Sequence, residues 1–266
     1  MLFKKKKFSH KENLMKYEGD VLNAIDYFNS KKNKNLFHLL KNRYGWMNKY
    51  IQDTDIGIEV GSGHGLSKKF IKNVNLKITD MTNHNFLDYT NIDALDTKFE
   101  SNKFDYVISS NVIHHLAFPT LHLKEIHRIL NKGGIYIIQD VNCSLICKLV
   151  LILMKHEGYD FTVDVYNESE AVKDYKDLWS GNNAISNLIF DDIIKFQTTF
   201  SNYFEIVNDS YDECFAFLNS GGVTAKTIYV PLNDYLNKLL IKFDYFIANK
   251  LPKIFALQRQ IVLKKI

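Results

Sequence analysis

Ile58-Glu59-Val60-Gly61-Ser62-Gly63-His64-Gly65 is an apolar run that ends in three alternating glycines. The run Ile56 to Val60 has the composition of a buried strand, and the residues after Gly65 have a helical pattern as far as about Lys72. Glycine in such a turn lets the backbone adopt positive φ and lets a ligand approach without a Cβ in the way. A tight glycine turn at the carboxyl end of a strand is the usual setting of a nucleotide-type site, although a purely structural turn has the same composition. The spacing narrows the ligand. A dinucleotide fingerprint needs a third glycine at position 66, which is Leu66, and the Gly-Lys-Ser/Thr of a phosphate loop is absent.

Outward from this turn, short apolar runs alternate with helical patterns. Leu76 to Asp80, Phe104 to Ser110 and Ile135 to Asp140 read as strands. His122 to Leu130 reads as a helix, and Gly133-Gly134 turns the chain into the strand that follows it. This rhythm predicts an α/β fold with a mostly parallel sheet and helices on both faces. Before it, two helices are expected between residues 13 and 51, the second with Leu36, Leu39, Leu40, Tyr44 and Met47 on one face. After it come an apolar helix from Ser144 to about Lys155 and an acidic stretch from Glu157 to Asp177. A helix beginning near Ala184 follows, then strands at Phe204 to Val207 and Phe255 to Leu263. Between those strands an amphipathic helix places Leu232, Leu236, Leu239, Leu240, Phe243 and Ile247 on one face, as core, lid or membrane-facing surface. We expect a single domain over 1–266, with N-terminal helices at 1–52, a ligand-binding core at 53–141 and substrate-side insertions and final strands at 142–266.

Two acids fall where a nucleoside would need them. Asp80 ends the second strand, 21 residues after Glu59, placed to accept hydrogen bonds from ribose hydroxyls. Asp93-Ala94 follows in a loop, where a carboxylate and a backbone amide can read an adenine edge. Either acid alone would read as a solvated loop residue; their order after the glycine turn argues for a site.

These stretches resemble the class I S-adenosylmethionine-dependent methyltransferases, specifically the group with ubiquinone and sterol methylating enzymes. The match extends through Phe104-Asp105-Tyr106-Val107-Ile108-Ser109-Ser110, Ile113-His114-His115-Leu116 and Glu125-Ile126-His127-Arg128-Ile129-Leu130-Asn131-Lys132-Gly133-Gly134. The resemblance implies a Rossmann-like seven-stranded sheet with the last strand antiparallel and S-adenosyl-L-methionine over the glycine turn. Glu59, Gly61, Ser62, Gly63 and Gly65 would approach the methionine moiety, Asp80 the ribose, Asp93 with Ala94 the adenine, and Asn111 the sulfonium. Leu95-Asp96-Thr97-Lys98-Phe99 departs from the group's Leu-Pro-Phe segment and puts the shape of the adenine loop in question.

Methyl transfer from a sulfonium needs alignment and exclusion of water, and a hydroxyl acceptor also needs its proton taken. His114 and His115 follow a strand end and are the catalytic candidates: His114 is read as a base or as a structural residue, and His115, which the group carries with many substrates, as structural. Trp179, Asn182 and Asn183 are the substrate candidates, an apolar wall beside paired amides; the alternative is that the amides cap a helix and Trp179 packs beneath it. Tyr159, Tyr166 and Tyr175 are undecided between pocket and surface. The acids from Asp160 to Asp177 have no ligand spacing, and Cys143 and Cys147, one helical turn apart, lack a His or Cys partner, so no metal is expected.

The rest of the chain bounds the function. Its 266 residues carry a net charge of +4 and 14% aromatics, which excludes a disordered protein. No dense basic and aromatic face argues for nucleic acid. Lys4 to Lys7 reads as a solvated, frayed end, with peripheral membrane contact through it or through the C-terminal helices as the alternative. Leu145 to Met154 is about half the ~20 residues needed to span a bilayer, and no secretion signal is seen, so a cytoplasmic protein with free thiols is expected. The turn Gly181-Asn182-Asn183-Ala184, Ser220-Gly221-Gly222 and the closing strand are similar to methyltransferases of bacterial polysaccharide clusters. That makes a sugar hydroxyl or amine, free or carrier-linked, the leading acceptor in surface-glycan biosynthesis. A lipid or quinone precursor is the alternative, and a non-catalytic cofactor-binding protein the second. Oligomeric state is left open.

Overall fold

Strands form where the apolar runs are rich in Ile, Val and Tyr. In the computed structural model, which describes residues 4–8, 20–177, 180–222 and 227–266, the strands are β1 (Lys5–Lys7), β2 (Gly57–Val60), β3 (Leu76–Thr79), β4 (Phe104–Ser110), β5 (Leu130–Val141), β6 (Gly158–Asp160), β7 (Phe204–Asp212) and β8 (Gln258–Lys265). The helices are α1 (Asp20–Asn29), α2 (Lys34–Gly45), α3 (Pro119–Ile129), α4 (Leu145–Met154), α5 (Ile185–Phe190), α6 (Ile193–Phe200), α7 (Phe215–Leu218), α8 (Asp234–Lys250) and α9 (Pro252–Phe255). Six strands build the main sheet in the order β3-β2-β4-β5-β8-β7. β2, β3, β4 and β5 pair in parallel, and the last strand, β8, runs antiparallel to both of its neighbours. The seventh strand implied by the resemblance is reduced to a single parallel bridge between Thr79 and Tyr89.

Side chains alternate between two buried layers, as period two requires. Val107, Tyr136, Ile138, Ile261 and Leu263 face one core with α3, α5 and α6. Tyr106, Ile108, Ile137 and Val262 face the other with α2. The five α2-side residues singled out by spacing, Leu36, Leu39, Leu40, Tyr44 and Met47, all lie buried in that second core. Asn33 caps α2 by accepting from the Leu36 amide.

Three expectations change. The helix after the glycine turn is only a 3-10 turn over Leu66–Lys69. Asn73 donates to the Gln52 and Asp55 carbonyls and accepts from the Asn75 amide, and such local side-chain bonding competes with helix. The lysine run is not frayed: Lys5–Lys7 pairs antiparallel with Gly158–Asp160, and the Lys5 ammonium lies 2.6 Å from the buried Asp160 carboxylate. Strand β7 extends past Val207 to Asp212 because it pairs with β8 along its whole length.

Helix α8 exposes Leu236, Leu239 and Phe243, packs Leu240 against the second core and buries Asn237, Asp244 and Ala248. The buried polar residues have a structural cause. The Asp244 carboxylate accepts from the Cys214, Phe215 and Ala216 amides and so closes the start of α7, while Asn237 donates to Asn35. Removing an acceptor shared by three buried amides leaves them unsatisfied. Asp244→Ala is therefore expected to lower the unfolding free energy by about 2–4 kcal/mol, read as a reduced urea midpoint with an unchanged slope.

Candidate active site

The chain runs from β2 to β3 on one side and returns through β4 on the other, so the direction of winding reverses between β2 and β4. Ligands of open α/β sheets bind at such a reversal, outside the carboxyl ends of the strands. There Gly61, Gly63 and Gly65 take φ of +69°, +53° and +62°. A Cβ on Gly61 would fall 2.7 Å from Val112, whereas one on Gly63 would meet nothing within 4 Å. The turn is held by Asp80, whose carboxylate accepts from the Gly63 amide at 2.8 Å and from the Thr82 amide and hydroxyl at 2.9 Å each.

A cavity of about 550 Å³ opens over this turn. Of the expected cofactor residues, Gly61, Ser62, Gly63, Asp80, Asp93, Ala94 and Asn111 line it. Glu59 and Gly65 are not part of its lining. Glu59 is fully buried and accepts a hydrogen bond from Ser67, and burial pushes its carboxyl up to about 8. Its Oε1 and the Ser62 hydroxyl are buried with no hydrogen-bond partner among the described residues. Asn111 sits at φ +58° and accepts from Gln258 of β8 at 2.9 Å. An open glycine turn, an unpartnered hydroxyl and two acids in this order fit an adenosyl amino acid.

The adenine-side loop is anchored from within. His122 on α3, fully buried, donates from Nδ1 to the Ala94 carbonyl at 2.8 Å; its Nε2 accepts from the Tyr136 hydroxyl at 2.7 Å, which in turn accepts from Ser109. The carbonyl can only accept, and this fixes the tautomer. Thr97 bonds to Glu125 with both amide and hydroxyl, and Arg128 clamps the same carboxylate. The residues that depart from the Leu-Pro-Phe segment thus have their own support.

At the far end of the cavity His114 and His115 both line the wall. His114 Nδ1 lies 2.7 Å from Asp140, whose carboxylate also accepts from the Val112 and Ile113 amides. Burial alone would lower the His114 pKa, but the Asp140 charge and hydrogen bond outweigh it and raise the value. Burial and the neighbouring His114 push His115 down to about 4. Glu157 reaches the same corner from the turn after α4, its carboxylate 3.6 Å from the Nε2 of each histidine and 2.9 Å from His156. Although burial opposes it, the charges of His156, His115 and His114 hold the Glu157 carboxyl well below the usual range.

Of the substrate candidates, Asn183 lines the cavity and donates to Glu157 at 3.1 Å. Asn182 lies outside the lining, its amide engaged with Asp160, Val172 and Ala184 of the chain itself. Trp179 lies outside the described residues. Tyr175 lines the cavity, Tyr159 is buried in a core and Tyr166 bonds to the Ile189 carbonyl. One face of α4, with Cys147, Val150, Leu151 and Met154, forms an apolar wall, while Leu145, Leu149 and Leu153 face outward. Asp140, His156, Glu157, Lys173 and Gln258 were missed by sequence reasoning. Apart from the adjacent His156 and Glu157 they come from separate elements, and no spacing signal joins them.

Residues 56–138 match the family described as a methyltransferase domain. No curated protein sequence matches the chain significantly. Among solved structures, an S-adenosylmethionine-dependent methyltransferase from Archaeoglobus fulgidus is similar, at 12% identity and a TM-score of 0.51 over 86% of this chain and 93% of that one. The YcgJ protein from Bacillus subtilis is also similar, at 10% identity and a TM-score of 0.46 over 84% of this chain and 97% of that one. At such identities the likeness is one of fold. With the matched domain, it gives the chain the fold of S-adenosylmethionine-dependent methyltransferases and supports S-adenosyl-L-methionine as the cofactor.

The His122 relay carries a pH consequence. Burial lowers its pKa from 6.5 to about 4, against the raising effect of the Ala94 hydrogen bond. Below the ordinary value the unfolded chain takes up a proton that the folded chain refuses. The stability contribution is complete above about 6.5 and declines as pH falls through the window to 4, by up to about 3 kcal/mol. Denaturation midpoints between pH 7 and 4 are expected to fall less steeply in His122→Gln than in the wild type.

Proposed function

We propose that the chain transfers a methyl group to a hydroxyl of an acceptor whose reactive end is polar and whose body is apolar. The observation that carries this reading is the continuity of the cavity. Its lining runs from Asp80 and Asp93, past Asn111, to the cluster of His114, His115 and Glu157 and onto the apolar face of α4. A protein that only sensed the cofactor would not need the last two walls.

The bound cofactor supplies an electrophilic methyl on a sulfonium; the chain supplies position, dryness and a place for a proton. Asp80 and Asp93 hold the nucleoside end, and the glycine turn lets the amino acid end lie close to the backbone. Asn111, fixed by Gln258, borders the point where the two ends of the cavity meet. Leu116, Leu151 and Met154 exclude water around it. The histidine and carboxylate groups receive the hydroxyl's proton as the oxygen becomes nucleophilic.

Lys173 and Asn183 give the acceptor end a polar edge suited to a sugar, and the α4 face suits an alkyl chain. A sugar hydroxyl on a lipid carrier meets both demands; a quinone precursor meets the second. Calorimetry with S-adenosylhomocysteine is expected to give micromolar binding, ~8 kcal/mol, that Asp80→Ala loses. With labelled cofactor, lipid-linked sugars should be methylated faster than the same free sugars. A folded wild-type protein that binds no S-adenosylhomocysteine would remove the basis of this reading.

A further inference from the structure

His114, His115 and Glu157 each present a ligating atom, and these three atoms lie within 4.8 Å of one another. The outer partners of the two rings decide what the inner atoms offer. Asp140 accepts from His114 Nδ1 at 2.7 Å, and the Ser180 carbonyl accepts from His115 Nδ1 at 3.3 Å. In the neutral rings both Nε2 lone pairs therefore point towards the Glu157 carboxylate, each 3.6 Å from one of its oxygens. That separation is too long for a hydrogen bond. The two lone pairs and the carboxylate, which His156 also contacts at 2.9 Å, thus converge where a cation would complete the arrangement.

We propose that this cluster is a binding site for a divalent first-row transition ion, Zn²⁺ by its geometry, held by His114 Nε2, His115 Nε2 and the Glu157 carboxylate. In a tetrahedral zinc shell with arms of about 2.0–2.1 Å the ligand atoms lie about 3.4 Å apart; here each histidine lies 3.6 Å from a carboxylate oxygen and the three ligating atoms fall within 4.8 Å, so a small inward movement would close the shell. Two imidazoles and one carboxylate make a three-ligand set that leaves a position open. Outer-shell support is present for every ligand: Asp140 behind His114, the Ser180 carbonyl behind His115, and Asn183 with His156 on Glu157. Such partners fix ring orientation and tautomer in metal sites. Glu157 itself is held at φ +50°, an uncommon value for a residue with a side chain, and this turns its carboxylate inward.

The ion's role rests on the methyl-transfer reading, whereas its binding does not. An acceptor hydroxyl at the open position would be oriented and its pKa lowered, its proton passing to solvent because the ion then occupies the lone pairs that would otherwise receive it.

The test uses the full chain, freed of metal by chelation and dialysis. Titration with Zn²⁺ alone, followed by calorimetry, is expected to give one equivalent per chain. Co²⁺ should give the visible absorption of a four- or five-coordinate site. Glu157→Gln and His115→Ala should each weaken Zn²⁺ by more than the roughly 10–100-fold that loss of an outer partner costs. Unchanged circular dichroism and S-adenosylhomocysteine affinity would show the variants to be folded. Binding that survives both substitutions, or no binding by the folded wild type, overturns the proposal and leaves a proton shared between His114 and Glu157 as the cation. Loss of S-adenosylhomocysteine binding would instead strike the methyl-transfer reading and leave the metal result standing.

Discussion

The Asp140 carboxylate is the constraint on which the acceptor end depends. It lies near the end of β5, fully buried, one strand over from the turn that follows β4. Its Oδ2 accepts the Val112 and Ile113 amides and its Oδ1 accepts His114 Nδ1. Three donors from consecutive residues therefore converge on one side chain of the neighbouring strand. A buried carboxylate without such donors would be strongly disfavoured, and a turn without such an acceptor would leave two amides orphaned. Each half makes the other tenable, and the orientation of His114 follows from their agreement.

A second constraint reaches the same corner from the other end of the chain. Lys5–Lys7 pairs with Gly158–Asp160, directly after Glu157, and Asn182 bonds to both the amide and the carbonyl of Asp160. Asn183 bonds to the Gly158 carbonyl and to Glu157. A turn with Lys155 at φ +48° and Glu157 at φ +50° needs such over-determination to persist. The N-terminal strand thus fixes the position of a pocket carboxylate about 150 residues away in sequence.

Much of the core could be read from the sequence because its signals are local. Phe104–Ser110 was bounded correctly as a strand, and the periodic leucines of α2 all proved buried. The glycine turn and both acids occupy one cavity wall because strand ends bring them there. What escaped was non-local or polar. The apolar periodicity of α8 marks a face without deciding between core, lid and surface, and Asp244 and Asn237 turn inward because they satisfy buried backbone and amide groups. The lysine run looked solvated because side-chain charge says nothing of backbone pairing. Glu157 gave no signal at all, since its partners His114 and His115 belong to a different element.

The polar corner gains its force from the apolar wall beside it. Leu151 and Met154 lie on the same cavity surface as Glu157, and His114 is almost wholly buried. Charges in such a setting interact more strongly than in water because little solvent screens them. The same exclusion raises the cost of leaving any of them without a counterpart. A cavity with one wall of methyl groups and one of lone pairs therefore selects for a ligand with both characters. The apolar body displaces water along α4, and the polar end meets groups whose attraction that displacement has strengthened. Binding energy from the body of the acceptor is in this way converted into orientation at its hydroxyl, which is the main thing methyl transfer requires of a protein.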